Sequence, residues 1–179
     1  MNRPPLRIDP GESVAFKQGP IQDVLVTPIR KFTDERGWLA ELFRHDEVAP
    51  EFQPAMAYIS VTLPGVLRGP HEHLDQADLF AWVGPGDFKV TLWDNRPESP
   101  TYLNRMEVVM GLNNPGTILV PKGIVHCYRC ISAETGWVFN APNQLFAGEG
   151  KKSPVDEIRH EVDPDNIFVK DERSRRVQG

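Results

Sequence analysis

No apolar run in the sequence approaches the roughly 20 residues that a membrane-spanning helix needs. The first residues, with Pro4, Pro5 and Asp9, lack the apolar region of a secretory signal, so a cytoplasmic protein is expected. A basic stripe is missing too: 20 Lys and Arg stand against 25 Asp and Glu, a net charge of -5, which argues against a nucleic-acid surface. Only two cysteines occur, Cys127 and Cys130, inside the apolar run Val125 to Ile131. On a strand, residues three apart face opposite sides, so these thiols would not share a ligand and read as buried small residues of a protein in a reducing compartment. No repeat of fixed period and no low-complexity block is visible.

What is present is punctuation. Seventeen prolines and 14 glycines are scattered between short apolar segments, the pattern of an all-β sandwich or barrel. A chain of 179 residues suits one domain with a real core. Residues 1–20 are polar and without period and are expected to form an N-terminal arm that orders on something else. Residues 21–171 would be the domain, ending in an irregular C-terminal segment, and 172–179 a charged, frayed tail. About ten strands are expected, at Val24–Ile29, Trp38–Phe43, Met56–Leu63, the segment around His71, Leu79–Val83, Phe88–Trp93, Met106–Met110, Thr117–Val120, Val125–Ile131 and Trp137–Phe139. Single helical turns are expected at Asp46–Phe52 and near Asp156–Arg159.

The chemistry gathers in two stretches. Gly65-Val66-Leu67-Arg68-Gly69-Pro70-His71-Glu72-His73, followed by Asp78, carries two imidazoles of one strand face. Gly116 to His126 adds a third after a Pro-x-Gly turn. His71, His73, Asp78 and His126 suit a three-His, one-carboxylate site for Fe, Mn, Ni, Co or Zn. They equally suit a metal-free site in which one histidine is a general base and the others orient a substrate's oxygens. Glu41, on the apolar face of Leu39 and Phe43, needs a partner such as Arg36 or a ligand.

Gly65-x5-His71-x-His73-x4-Asp78 and Gly116-x4-Pro121-x-Gly123-x2-His126 resemble the two motifs of the cupins, which are jelly-roll β-barrels. From Phe32 to about Asp171 there is a narrower resemblance. Phe32-x-Asp34-Glu35-Arg36-Gly37-Trp38-x-x-Glu41-x-Phe43, Gly65-Val66-Leu67-Arg68-Gly69-x-His71, Asp94-x-Arg96-x-x-Ser99-Pro100-Thr101 and Val120-Pro121-Lys122-Gly123-x-x-His126 are similar to the dTDP-4-dehydrorhamnose 3,5-epimerase family. The resemblance implies a cupin jelly roll acting without cofactor on a nucleoside-diphosphate 4-keto-6-deoxysugar, in deoxysugar or polysaccharide biosynthesis. It implies a homodimer with an arm crossing to the neighbour, His71 as base, Asp171 as the carboxylate that orients it, and Arg68 on a phosphate. Arg36 and Glu41 would meet nucleotide or sugar, across the dimer interface.

The chain departs from the family where chemistry is most demanding. The family's Gln-x-Lys-Leu reads Gln76-Ala77-Asp78-Leu79, its glutamine two residues after the base is His73, and Phe146 is the nearest substitute for its proton-donating tyrosine. Tyr58 and Tyr128 are candidates for an alternative acid. His73 and Asp78 are also what a metal site would need, the ion then acting on the ketone. Three functions stay open on sequence: a sugar-nucleotide epimerase or isomerase, a metal-dependent isomerase or dioxygenase, and a non-catalytic sugar-nucleotide binding module.

Overall fold

The computed structural model describes residues 14–176. Thirteen strands follow one another: β1 (Lys17–Gln18), β2 (Leu25–Pro28), β3 (Lys31–Asp34), β4 (Gly37–Ala40), β5 (Tyr58–Thr62), β6 (Leu67–Glu72), β7 (Asp78–Trp82), β8 (Asp87–Asp94), β9 (Asn104–Gly111), β10 (Gly116–Val120), β11 (Ile124–Cys130), β12 (Gly136–Asn140) and β13 (Ile158–Arg159). One helix, α1 (Ile167–Arg176), ends the described chain. The strands form a six-stranded sheet in the order β1-β9-β8-β11-β6-β13, a five-stranded sheet in the order β2-β10-β7-β12-β5, and the separate hairpin β3-β4. The two large sheets face each other as a jelly-roll sandwich.

Alternation dictates what each sheet buries. Phe80, Trp82, Ile118, Val120 and Val138 of one sheet meet Phe88, Val90, Leu92, Met110 and Ile124 of the other. Cys130 belongs to this core, whereas Cys127 lies with Trp93, Val125 and Phe168 on the opposite face, as residues three apart on a strand must. Both thiols are free.

The expected strands all form, and the additions are informative. Lys31–Asp34, outside the expected strands, pairs with Gly37–Ala40. The pair Ile158–Arg159 is a strand on the edge of β6, not a helical turn. The expected turn within 46–52 is confined to a 3-10 turn at Pro50–Phe52. The arm falls partly outside the described residues, which start at 14. Within them, Lys17–Gln18 pairs with β9, Phe16 packs on Trp93 and Phe168, and Ile21 is buried, so this stretch docks on the chain's own body. The expected frayed tail is corrected as well. Residues 170–176 continue α1, because Phe168 and Val169 are buried and Glu172, 3% exposed, receives two hydrogen bonds from Arg129 at 2.9 and 3.0 Å. Helix α1 thus runs through the boundary expected at 171/172.

Candidate active site

One position in β6 decides what the cavity contains. Arg68 and His71, three apart, would face opposite sides of a regular strand. The register with β11 pairs His71 with His126 but Arg68 with Tyr128, so β6 carries an extra residue there. That bulge sits at Gly69, at φ +86°, where a Cβ would lie 2.7 Å from the His126 carbonyl oxygen. The parity reverses, and Arg68 and His71 both line a cavity of about 830 Å³.

Into the same cavity the sandwich delivers His73, Asp78 from β7, His126 and Tyr128 from β11, and Tyr58 from β5. His126 has one imidazole on each side, its ring centroid 6.3 Å from that of His71 and 5.8 Å from that of His73. The expected convergence of three histidines inside the barrel is therefore present.

His71 Nε2 lies 2.7 Å from Glu161 Oε1. A carboxylate only accepts, so Nε2 carries the hydrogen and Nδ1 is left with its lone pair. Nδ1 has the Glu157 carboxylate at 3.7 Å. Glu161 is held by the residue before it: His160 Nε2 is 2.9 Å from Glu72 Oε2, both groups being buried. Adjacent residues of β6, His71 and Glu72, thus clasp adjacent residues of the 160 turn, Glu161 and His160. Asn95 gives Glu72 a further hydrogen bond at 2.9 Å.

Asp171 does not take this role. It lies on α1, against the outer face of the six-stranded sheet, where Oδ2 accepts hydrogen bonds from Trp93 Nε1 and Arg105 Nε, each 2.9 Å.

Around Asp78 the contacts are dense. Its Oδ1 accepts from Gln76 Nε2 at 3.0 Å and Asn140 Nδ2 at 2.9 Å, while Oδ2 lies 3.2 Å from His73 Nε2 and 3.6 Å from His126 Nε2. Burial works against the Asp78 carboxylate, but the hydrogen bond and charge of His73 outweigh it and hold its pKa below the ordinary range. Burial would likewise lower His73; its bond to Asp78 outweighs that and raises it to about 9. His126 is governed by burial, which pushes it down to about 4. His73, Asp78 and His126 each bring one ligand atom within 4.8 Å of the others; His71 is not part of that group.

The remaining candidates divide by location. Asn140 Nδ2 also donates to Tyr58 Oη at 2.8 Å, and Tyr128 Oη donates to Ser60 at 3.2 Å. Burial drives the Tyr58 phenol up to about 12 and raises Tyr128 too. Arg68 donates from Nε to Thr62 and from Nη2 to the Val61 carbonyl. Arg36 and Glu41 are not brought to the cavity. Both are exposed at the β3-β4 hairpin, Arg36 paired with Asp34 at 2.5 Å and Glu41 with Arg44 at 3.5 Å. Phe146 lies on the cavity wall, half exposed.

Sequence reasoning missed Glu161, Glu157, Asn140 and Asp156. The signal for Glu161 was slight: a polar His160-Glu161 pair between Ile158 and Val162, 90 residues from its partner.

The jelly roll thus holds in one cavity an imidazole with a carboxylate behind it and a guanidinium on the same wall. The profile of the dTDP-4-dehydrorhamnose 3,5-epimerase family matches residues 18–156, and the chain belongs to that family. Among its relatives, the probable low-salt glycan biosynthesis epimerase Agl13 of Haloferax volcanii is 36% identical over 127 residues, 70% of this chain and 81% of that protein. The fold is shared with the dTDP sugar isomerase of Desulfovibrio desulfuricans G20, at TM-score 0.71 and 23% identity over 88% of this chain and 92% of that one. It is shared too with the 3,5-epimerase RmlC of Legionella pneumophila, solved in complex with dTDP-4-keto-L-rhamnose, at TM-score 0.68 and 22% identity over 86% and 81%.

Proposed function

We propose that the chain inverts a carbon beside the ketone of a nucleoside-diphosphate 4-keto-6-deoxysugar, in cytoplasmic synthesis of deoxysugars for a glycan, with His71 as base. The observation that carries this is the Glu161–His71 hydrogen bond at 2.7 Å, which fixes the tautomer and leaves Nδ1 free to take a proton. The proton passes from the carbon to Nδ1, and the electron pair moves onto the ketone oxygen as an enolate. A proton returned to the opposite face completes the inversion. Arg68 supports recognition of the diphosphate: with Nε and Nη2 committed to Thr62 and Val61, Nη1 has no protein partner among the described residues. The epimerase RmlC of Legionella was solved with a ligand of this class.

The working form is a homodimer in this reading. Ile59, Val61, Leu63 and Trp137 are 46–63% exposed on the outer face of the five-stranded sheet, an apolar patch of the kind that marks an interface. Arg36 and Glu41, remote from their own cavity, then serve the site of the second copy.

The test is incubation with dTDP-4-keto-6-deoxyglucose in deuterated water, followed by NMR. Label at a carbon next to the ketone is expected, and its loss in His71→Asn assigns the base. Binding without any label rejects catalysis and leaves a binding module.

A further inference from the structure

Where the chain departs from its family, at His73 and Asp78, it builds a second constellation next to the base. His126 Nδ1 lies 3.1 Å from the Ile124 carbonyl oxygen, and His73 Nδ1 is hydrogen-bonded to the carbonyl oxygen of Asp156. A carbonyl only accepts, so in both rings Nδ1 bears a hydrogen, and Nε2 is the nitrogen that presents a lone pair once the ring is neutral. Both Nε2 atoms are aimed at the same oxygen, Asp78 Oδ2. The other carboxylate oxygen is already occupied by Gln76 and Asn140.

The scaffold behind these atoms is stiff. The Asp156 carboxylate accepts the backbone N–H groups of Leu74, Asp75 and Gln76 at 2.8–2.9 Å, which anchors the loop carrying His73. Asp78 and His126 are buried on strands of opposite sheets. The positive centre these three atoms need is supplied in the free protein by the proton between His73 Nε2 and Asp78 Oδ2, which a divalent ion would displace. Imidazoles that donate their distal N–H to carbonyls are also how metal-ligating histidines are oriented.

We propose that His73 Nε2, Asp78 Oδ2 and His126 Nε2 bind a divalent first-row transition ion, with its remaining positions open to the cavity beside His71. Two imidazoles and one carboxylate suit zinc, cobalt, nickel, iron or manganese. His71 is not a ligand, because Glu161 holds its Nε2. This narrows the four-residue set expected from the sequence to three. An ion here would polarise a carbonyl oxygen, the task of the absent family lysine. The site stands on ligand geometry alone and is independent of the reaction proposed above.

The full-length chain, stripped with a chelator and dialysed, is titrated with Co²⁺ and followed by visible absorption, with Zn²⁺ binding measured by calorimetry. No substrate is present, so the outcome is separate from that of the labelling experiment. One equivalent should bind with a visible band that reports nitrogen and oxygen ligation. Asp78→Asn and His126→Gln should weaken binding by more than the roughly 10- to 100-fold that loss of an outer hydrogen-bond partner causes. His71→Asn should bind as the wild type does. If either buried variant fails to fold, His73→Gln, in a loop, carries the same expectation. Absence of saturable binding, binding undiminished in the ligand variants, or binding lost in His71→Asn each overturns the proposal.

Discussion

Glu161 Oε1 and His71 Nε2 are 2.7 Å apart, and the residues adjoining them, His160 and Glu72, make the inverse pair at 2.9 Å. The proposed base is thereby oriented by an element, the turn His160–Val162, that is itself secured by the buried His160–Glu72 hydrogen bond. Glu161→Gln can turn an N–H toward the ring and favour the wrong tautomer. It should cut solvent exchange into substrate by about 10²- to 10⁴-fold, the usual span for general-base catalysis, with little change in substrate binding. Asp171→Asn should leave exchange close to wild type while lowering thermal stability, since it removes the charge that faces Arg105. A collapse of exchange in Asp171→Asn with Glu161→Gln unaffected would return the orienting role to the helix.

The Asp94-to-Thr101 motif, shared with the family, is a stability device by its geometry. Asp94 is fully buried and accepts from Arg96, Ser99 and Thr101 at 2.6–3.1 Å, while Arg96 reaches on to the Gln22 carbonyl. Burial raises the Asp94 pKa, but Arg96 and the two hydroxyls outweigh it and hold it below the ordinary 3.8. A carboxylate depressed in the folded state stabilises above its unfolded pKa of about 3.9, and that contribution is lost as the pH falls through the folded value. Asp94→Ala should cost about 3–5 kcal/mol near neutrality, as breaking a buried pair does. In urea melts the gap to wild type should narrow below pH about 4; a gap independent of pH would exclude this linkage.

Much of this was legible in the sequence, for reasons visible in particular residues. The ten long strands announce themselves because alternation such as Tyr58, Ser60 and Thr62 against Ile59, Val61 and Leu63 is local information. Convergence of His71, His73 and His126 was legible too, since the Gly and Pro residues around them define strand ends. The three added strands were not: two have only two residues, and β3 alternates Lys31, Phe32, Thr33 and Asp34 around a polar turn. Helix α1 has seven polar residues in a row after Ile167, Phe168 and Val169, so its charge run read as tail. What docks it is Glu172 meeting Arg129, a contact 43 residues apart. Glu161 lies beyond the segment the family profile matches, and its role depends on β13 pairing with β6. Position-by-position comparison led to Asp171 instead, which the helix carries to the other side of the sheet.

If the outer apolar face joins two copies, a charge at its centre should split them. Val61 pairs with Trp137 across β5 and β12, both side chains exposed. A stable interface buries about 800 Å² per partner, more charged residues being excluded from its core. Val61→Asp should therefore move the chain from dimer to monomer in light scattering while its circular dichroism stays unchanged. A wild-type chain that is already monomeric at micromolar concentration would remove the role assigned to Arg36 and Glu41 together with the dimer.

With phenylalanine at 146, the proton for the opposite face needs another source, and the two cavity tyrosines differ in what they can give. Tyr128 spends its hydroxyl hydrogen on Ser60 at 3.2 Å. Tyr58 instead accepts a hydrogen bond from Asn140 at 2.8 Å, so its own hydrogen is uncommitted, and a pKa pushed up by burial to about 12 keeps it protonated at neutral pH. Abstraction by His71 does not require that acid, whereas inversion does. Tyr58→Phe should therefore keep solvent deuterium entering the substrate while the yield of inverted sugar falls by about 10²-fold or more, the lower end for loss of a general acid. Tyr128→Phe should change both by much less. Equal loss of label and of inverted product in Tyr58→Phe would mean that the phenol positions the substrate and that the returning proton comes from elsewhere in the cavity.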